Sequence, residues 1–282
     1  EYDPATAKDK AIAMVEMIRQ YWMEQAAAQE SGGEEQREGG PFAGFVLLKE
    51  AKWDREQLKA DLLNDWGIAC LPGETGEEVV DDGDNLIFDI DGLMAVVSLM
   101  PAPVPDGEAE QNAATNYMWP EAVEVTKTHQ AHLIVAVIGG KQSLVQAACS
   151  KQPGALGVYT SGTVFQPEFY QEVADWMKED PDALPLLDWV YIGLYRSDKG
   201  GCAYTYGLEA FGRDEIEVLD TQAEPIDLRN FLLDIVDYLL RYDAILRDGE
   251  TIGFSAEQKL PITRSPGEAL DGMTIKIGYP EE

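Results

Sequence analysis

The chain has 282 residues, of which 45% are hydrophobic, so it can bury a substantial core and is not globally disordered. It carries 52 acidic against 21 basic residues, a formal net charge of -31, and the acidic residues are spread along the chain. A field of this sign repels phosphate backbones and anionic lipid surfaces, which argues against nucleic-acid and membrane partners. It permits a basic protein partner, and solubility alone explains the same excess of acidic residues.

The cysteine pattern indicates the compartment. Cys70, Cys149 and Cys202 are far apart and odd in number, which matches neither a disulfide framework nor a zinc site. We therefore expect unpaired thiols in a reducing, cytoplasmic compartment, and no apolar run reaches the length of a membrane-spanning helix. The chain begins at Glu1 rather than at methionine, so we expect it to be trimmed or excised from a longer protein.

The N-terminal segment is predicted to form one helix and a tether. Apolar residues recur at helical spacing within residues 1–30, at Ile12, Val15 and Ile18 among others. Residues 31–41 are rich in glycine and charge, which is typical of a flexible linker.

Residues 42–140 are predicted to form the first α+β half. Asp54 is a favoured residue for capping a helix, and Asp91-Gly92 between two apolar runs is a strong hairpin signal. The expected elements, in chain order, are a strand (42–49), a helix (54–66), two hairpin strands (85–90 and 93–100), a helical region (108–129) and a strand (132–138). This order is that of the ferredoxin-like, split βαβ arrangement.

Residues 141–282 are predicted to repeat that order after a short joining helix (142–151). The expected strands are 155–160, 189–196, 202–210, 251–254 and 273–279, and the expected helices are 167–178 and 226–241. The predicted fold is therefore α+β, with two ferredoxin-like βαββαβ halves packed together behind the N-terminal amphipathic helix. A single larger mixed sheet fits almost as well.

Short motifs along residues 42–280 resemble a known bacterial family, the domain of unknown function 4261. They are Gly44-Phe45-Val46-Leu47-Leu48, Ser98-Leu99-Met100-Pro101, Tyr117-Met118-Trp119, Tyr159-Thr160-Ser161-Gly162, Gly193-Leu194-Tyr195-Arg196, Tyr206-Gly207-Leu208-Glu209-Ala210-Phe211-Gly212 and Pro261-Ile262-Thr263-Arg264. The resemblance implies no reaction and no catalytic residue. Uncharacterised families of this kind often include immunity proteins that neutralise toxins, an analogy at the level of the family alone.

One loop is a candidate ligand contact. Thr160, Ser161 and Thr163 lie between a predicted strand and a predicted helix, where small hydroxyls and backbone N–H groups can hold an anion. An ordinary turn explains the same residues, and the sequence around Ser161 does not match a nucleophile elbow.

Histidines and isolated cations are the remaining candidates. His129 and His132 could share a metal, but no third ligand is apparent, so we expect no metal and no other cofactor. His129 is expected to lie as a cation at a helix C-terminus. Arg196 and Arg264 could grip an anionic ligand or pair with nearby acids.

The leading hypothesis is a non-enzymatic binding protein, with no catalytic residue, whose acidic surface engages a basic protein such as a toxin. The alternative is an enzyme or small-molecule sensor with a pocket between the two halves, near Thr160, Arg196 and His129. The sequence does not specify an oligomeric state.

Overall fold

The computed structural model of the protein describes residues 42–71, 80–90, 93–137, 142–180, 182–255 and 258–280. The predicted N-terminal helix (1–30), the predicted linker (31–41) and the predicted turn at 91–92 lie outside these residues.

Strands and helices alternate along the described chain. The strands are β1 (Phe42–Leu48), β2 (Val80–Asp81), β3 (Asn85–Ile90), β4 (Leu93–Met100), β5 (Ala131–Val137), β6 (Ala155–Thr160), β7 (Thr163–Phe165), β8 (Tyr191–Arg196), β9 (Gly201–Tyr206), β10 (Ile216–Thr221), β11 (Thr251–Ile252), β12 (Leu260–Pro266) and β13 (Met273–Ile277). The helices are α1 (Arg55–Trp66), α2 (Glu108–Ala113), α3 (Ala122–Thr126), α4 (Gln142–Cys149), α5 (Pro167–Glu179), α6 (Leu186–Trp189) and α7 (Pro225–Arg241). The fold is thus mixed α+β, as predicted.

Local signals explain the helix ends. Asp54 caps α1 by accepting a hydrogen bond from the backbone N–H of Gln57 at 2.9 Å, and Gly67 ends it in a left-handed conformation. Proline opens both α5 and α7, at a position where its missing N–H has no intrahelical partner.

The first sheet has seven strands in the order β2-β3-β4-β5-β1-β6-β7, and all its pairs are antiparallel. β5 is buried at every position, so both its faces and both its edges are covered, and it lies at the centre. Helices α1 and α4 pack on one face, against Val46, Leu133 and Val135. Helices α2 and α3 pack on the other.

The second sheet has six strands in the order β11-β12-β13-β10-β9-β8. The β10–β13 pair is parallel, and the other pairs are antiparallel. Helix α7 covers one face of this sheet with Leu228, Leu232, Ile235 and other buried residues, which forms a second core. An amphipathic helix on a sheet face is the expected way to bury such an apolar stripe.

The prediction of two ferredoxin-like halves is wrong in strand order. In that arrangement the first strand lies between the third and the fourth, whereas here β5, the fourth predicted strand, lies between β4 and β1. The second half fails for a different reason: its first predicted strand, β6, pairs with β1 and extends the first sheet. The sheets therefore do not divide at residue 140.

Tyrosines and a serine join the two sheets. The Tyr117 hydroxyl donates to the carbonyl of Ile192 at 3.1 Å, and Ser161 Oγ donates to the carbonyl of Trp189 at 2.9 Å. Buried Phe165, Tyr170 and Tyr191 pack together beside these contacts. The two sheets are therefore joined both by buried aromatic packing and by hydrogen bonds from side chains to backbone carbonyls.

Candidate functional site

A cavity of about 580 Å³ lies at the junction of the two sheets. One wall comes from β1, β6 and the β6–β7 turn, a second from residues 206–215 after β9, and a third from residues 269–271 between β12 and β13. Its volume is within the range of small-molecule and side-chain binding sites.

The first-sheet wall is aromatic. Phe45 on β1 stands directly opposite Tyr159 on β6, with ring centroids 5.4 Å apart. Directly opposite residues on one sheet face are close enough for their rings to pack. The Tyr159 hydroxyl donates to Glu108 Oε1 at 2.6 Å and accepts from Asn112 Nδ2 at 3.0 Å, so α2 fixes its ring.

A buried carboxylate shapes the second wall. Glu215 accepts hydrogen bonds from the backbone N–H groups of Gly207 at 2.7 Å and Glu209 at 3.3 Å, and from Thr205 Oγ1 at 2.6 Å. Gly207 has φ +125°, and a Cβ there would lie 2.4 Å from the carbonyl oxygen of Trp189, so only glycine fits. These contacts fix the backbone that presents Glu209 to the cavity.

A second buried carboxylate shapes the third wall. Glu217 accepts from the backbone N–H groups of Glu268 at 3.0 Å and Ala269 at 2.8 Å, and it pairs with Lys276 Nζ at 2.9 Å. Lys276 lies directly opposite Glu217 in the β10–β13 ladder. Glu217 lies on β10, and Glu215 immediately precedes that strand. The short stretch 215–217 thus positions both second-sheet walls.

The cavity is strongly negative. Its charged lining residues are Glu209, Glu215 and Asp271, and among the residues that the structure describes no Lys, Arg or His lines it. Burial raises the pKa of Glu215, although its three hydrogen-bond donors oppose the shift. Burial also raises the pKa of Tyr206, and the charges of Glu215 and Glu209 add to that shift because they disfavour a second negative charge nearby.

The predicted ligand loop is a tight turn that contributes to the cavity. Ser161 and Gly162 are the two residues between the paired Thr160 and Thr163, and both have positive φ, as a type I′ turn requires. Thr160 and Ser161 line the cavity, whereas the buried Thr163 hydroxyl lies 2.9 Å from Thr115 Oγ1 and does not line it.

His129 lies away from the cavity and is a structural residue. Its Nδ1 lies 2.6 Å from the carbonyl of Thr126, the last residue of α3, and its Nε2 accepts from the backbone N–H of Val104 at 2.9 Å. The ring lies just beyond the C-terminal end of α3, and Glu110 Oε1 is 3.6 Å from its Nδ1. Both its ring nitrogens are occupied by these contacts. Burial lowers the pKa of His132, whose Nδ1 faces the carbonyl of Ala102.

The two candidate arginines do not line the cavity either. Arg264 makes a two-pronged contact with Asp214, at 2.8 and 3.3 Å, so it pairs with a local acid. Arg196 is exposed at the end of β8, beside the β8–β9 turn. The structure therefore does not gather Arg196, Arg264 and His129 around Thr160.

Sequence reasoning missed the three lining carboxylates and Glu217. The stretch from Glu215 to Asp220 alternates acidic and apolar residues over its first four positions, which is a signal for a half-buried strand. The predicted strands nevertheless did not include β10 (Ile216–Thr221), and such an alternation does not show that its acidic positions are buried.

Comparison with known proteins adds one family. None of the helices in the described ranges is long and apolar enough to cross a membrane. No curated protein and no solved structure matches the chain. The model of the family described as domain of unknown function DUF4261 matches residues 204–278, a shorter stretch than the motifs suggested, and this match confirms the predicted resemblance over that segment.

Proposed function

We propose that the protein is a non-enzymatic binding protein that engages a basic protein partner through its acidic surface. The observation that carries the proposal is that the lysine and arginine side chains of the chain are mostly paired with its own carboxylates. Most described lysines and arginines already have a carboxylate within 4.0 Å, among them Arg55, Lys59, Lys151, Lys178, Arg213, Arg241, Arg264 and Lys276. With 52 acidic residues against 21 basic ones, many carboxylates have no internal cation.

Exposed acids on two helices illustrate that surplus. Glu168 and Glu172 on α5, and Asp227 on α7, are exposed and have no ion-pair partner among the described residues. Their charge is balanced only from outside, by salt ions or by a basic protein. A complementary partner gains a faster association rate from such a field, and the rate falls as salt screens it.

The compartment and the kind of partner belong to the same proposal. The thiols of Cys70, Cys149 and Cys202 are unpaired, which supports a reducing bacterial cytoplasm as the place of action. A toxin of basic charge, neutralised by direct binding, fits both the field and this compartment.

Affinity capture at low and at high salt, followed by binding of the purified proteins, tests the proposal. We expect a basic protein that binds saturably with fixed stoichiometry and whose association rate falls steeply as salt is raised. Replacing Glu168 and Glu172 by glutamine, and Asp227 by asparagine, should lower the association rate. If no purified basic protein binds saturably at low salt, the proposal is wrong.

A further inference from the structure

The cavity between the sheets differs from the rest of the acidic surface because it combines carboxylates with aromatic rings in a concave site. Glu209 and Asp271 are exposed at its edge, and neither has an ion-pair partner among the described residues. Phe45, Tyr159 and Tyr206 supply the rings. Aromatic faces and carboxylates both attract organic cations, the former through the ring quadrupole.

The burial of the third carboxylate strengthens the field inside. Glu215 is 7% exposed and still lines the cavity. Charges that water reaches poorly are screened less than surface charges. Glu108, which accepts the hydrogen bond of Tyr159, adds a fourth carboxyl group next to the aromatic wall. The interior is therefore a place where a positive charge is stabilised and an anion is repelled.

Thr160 adds a buried, unpaired polar group to the cavity lining. This residue is 3% exposed, lines the cavity, and its buried hydroxyl oxygen has no hydrogen-bond partner among the described residues. Buried hydroxyls in proteins are nearly always hydrogen-bonded, to protein, water or ligand. A hydroxyl is also a good acceptor for an ammonium or guanidinium N–H.

We infer that this cavity receives the ammonium or guanidinium end of a lysine or arginine side chain from the basic partner. Glu209 and Asp271 pair with the cation at the entrance, Tyr206 and Tyr159 lie against its aliphatic stem, and the Thr160 hydroxyl accepts a hydrogen bond. The inference rests on the proposed function for the source of that side chain. It reverses the expectation of an anion at Thr160, because Arg196, Arg264 and His129 lie outside the cavity.

The test uses short peptides of known chemistry. Acetyl-Gly-Lys-Gly-amide and its arginine counterpart are titrated into the full chain and followed by NMR shifts of the tyrosine rings, beside the same peptide with an acetylated lysine. We expect the two charged peptides to shift the Tyr159 and Tyr206 signals, and the acetylated peptide to leave them unchanged. Equal binding of the acetylated peptide would overturn the inference, because acetylation removes only the charge and its donors.

Two matched double variants separate the site from the overall field. One combines Glu209→Gln with Asp271→Asn at the cavity edge, and the other combines Glu121→Gln with Asp198→Asn, which are exposed and do not line the cavity. Both remove two negative charges. We expect the cavity pair to weaken lysine-peptide binding about tenfold and the control pair less than twofold. Equal weakening by the two pairs would contradict a specific site.

Two outcomes distinguish a failure of the cavity inference from a failure of the proposed function. If spermidine binds the cavity as the peptide does but no purified basic protein binds, the cation site stands and the protein-partner function fails. If a basic protein binds saturably and the cavity pair does not weaken it more than the control pair, the function stands and the cavity inference is wrong.

Discussion

Asp188 on α6 provides the sharpest test of how burial controls charge in this fold. Its side chain is 0% exposed, and neither carboxylate oxygen has a hydrogen-bond partner among the described residues. Removing a lone carboxylate from water is far costlier than protonating it, so burial raises its pKa well above the usual value. Burial therefore favours the neutral acid over the carboxylate at Asp188.

The consequence for stability has a definite sign. An unfolded aspartate titrates near pH 3.9, so between that pH and the higher pKa of the folded state the folded chain binds one more proton. The contribution of Asp188 is full below the unfolded pKa and is lost as pH rises toward the folded one. Linkage limits this loss to about 1.4 kcal/mol per pH unit for one proton.

The perturbation is Asp188→Asn, which keeps the shape and removes the titration. Urea unfolding of both proteins at pH 5, 6 and 7 gives the free energy of unfolding, and the difference between them isolates Asp188 from the other acids. We expect the stability of the wild type relative to the variant to fall as pH rises, by at most about 1.4 kcal/mol per pH unit. The pH dependence of the stability difference is diagnostic, whereas its absolute size is not, because a buried amide without hydrogen-bond partners also lowers the free energy of unfolding by about 1–3 kcal/mol. Asp234→Asn, at an exposed position on α7, serves as the control with no slope. A pH-independent difference for Asp188→Asn would refute the reasoning.

Three further perturbations test the backbone, a thiol and a buried ion pair. Gly207→Ala should lower the free energy of unfolding by about 3 kcal/mol or more, because φ is +125° and the new Cβ would collide with backbone atoms. Gly249→Ala, whose Cβ would have nothing within 4 Å, should lower it by only about 1–2 kcal/mol. Equal losses for the two variants in urea unfolding would contradict this. Burial raises the pKa of Cys70 to about 11, so iodoacetamide should modify it about 10- to 100-fold more slowly at pH 8 in the folded chain than in urea, and equal rates would show an accessible thiolate. Burial alone would raise the pKa of Glu217, but hydrogen bonds and the charge of its lysine partner hold it below its usual value, so Glu217→Gln should cost about 3 kcal/mol at pH 7. That deficit should shrink as pH falls through the pKa of the folded state, and a deficit that stays constant down to acid pH would contradict the ion pair.

Elements whose signals are local were predicted well. The apolar spacing from residue 226 to 241 specified α7, and Asp54 with its hydrogen bond to Gln57 specified the start of α1. The two strands at 85–90 and 93–100 pair as predicted. In each case the residues that determine the element are within a few positions of one another.

Strand order was not predictable in the same way, because it depends on contacts between distant segments. The apolar run of β5 indicates a strand buried on both faces. Nothing in that run identifies β1 and β4 as its two neighbours, and nothing in β6 indicates that it pairs with β1 rather than starting a new sheet. The order β-α-β-β-α-β is compatible with several strand arrangements. Packing between distant segments determines which arrangement forms, and the order of elements alone does not specify it.

The candidate site also combines features that were predictable from local sequence with features that depend on contacts between distant segments. The turn at Ser161 and Gly162 was found because small hydroxyls and glycine have local meaning, but the anion expected there would face a cavity whose charged lining residues are acidic. Glu209 and Asp271 are surface acids by every local measure, and 52 acidic residues make any one of them unremarkable in sequence. Only the approach of the second sheet to the first turns these two into neighbours.

The origin of that approach lies in residues 215–217. Glu215 fixes the backbone at 207–209 and Glu217 fixes the backbone at 268–269, so this short stretch determines how both charged walls face the aromatic wall. All three lining carboxylates lie within residues 204–278, the segment that the family model matches, whereas Phe45 and Tyr159 lie outside it. The charged lining residues therefore come from the family segment, whereas the rings come from both sheets, with Phe45 and Tyr159 on the first and Tyr206 on the second. A ligand that needs both, as a lysine or arginine side chain does, needs the two sheets together.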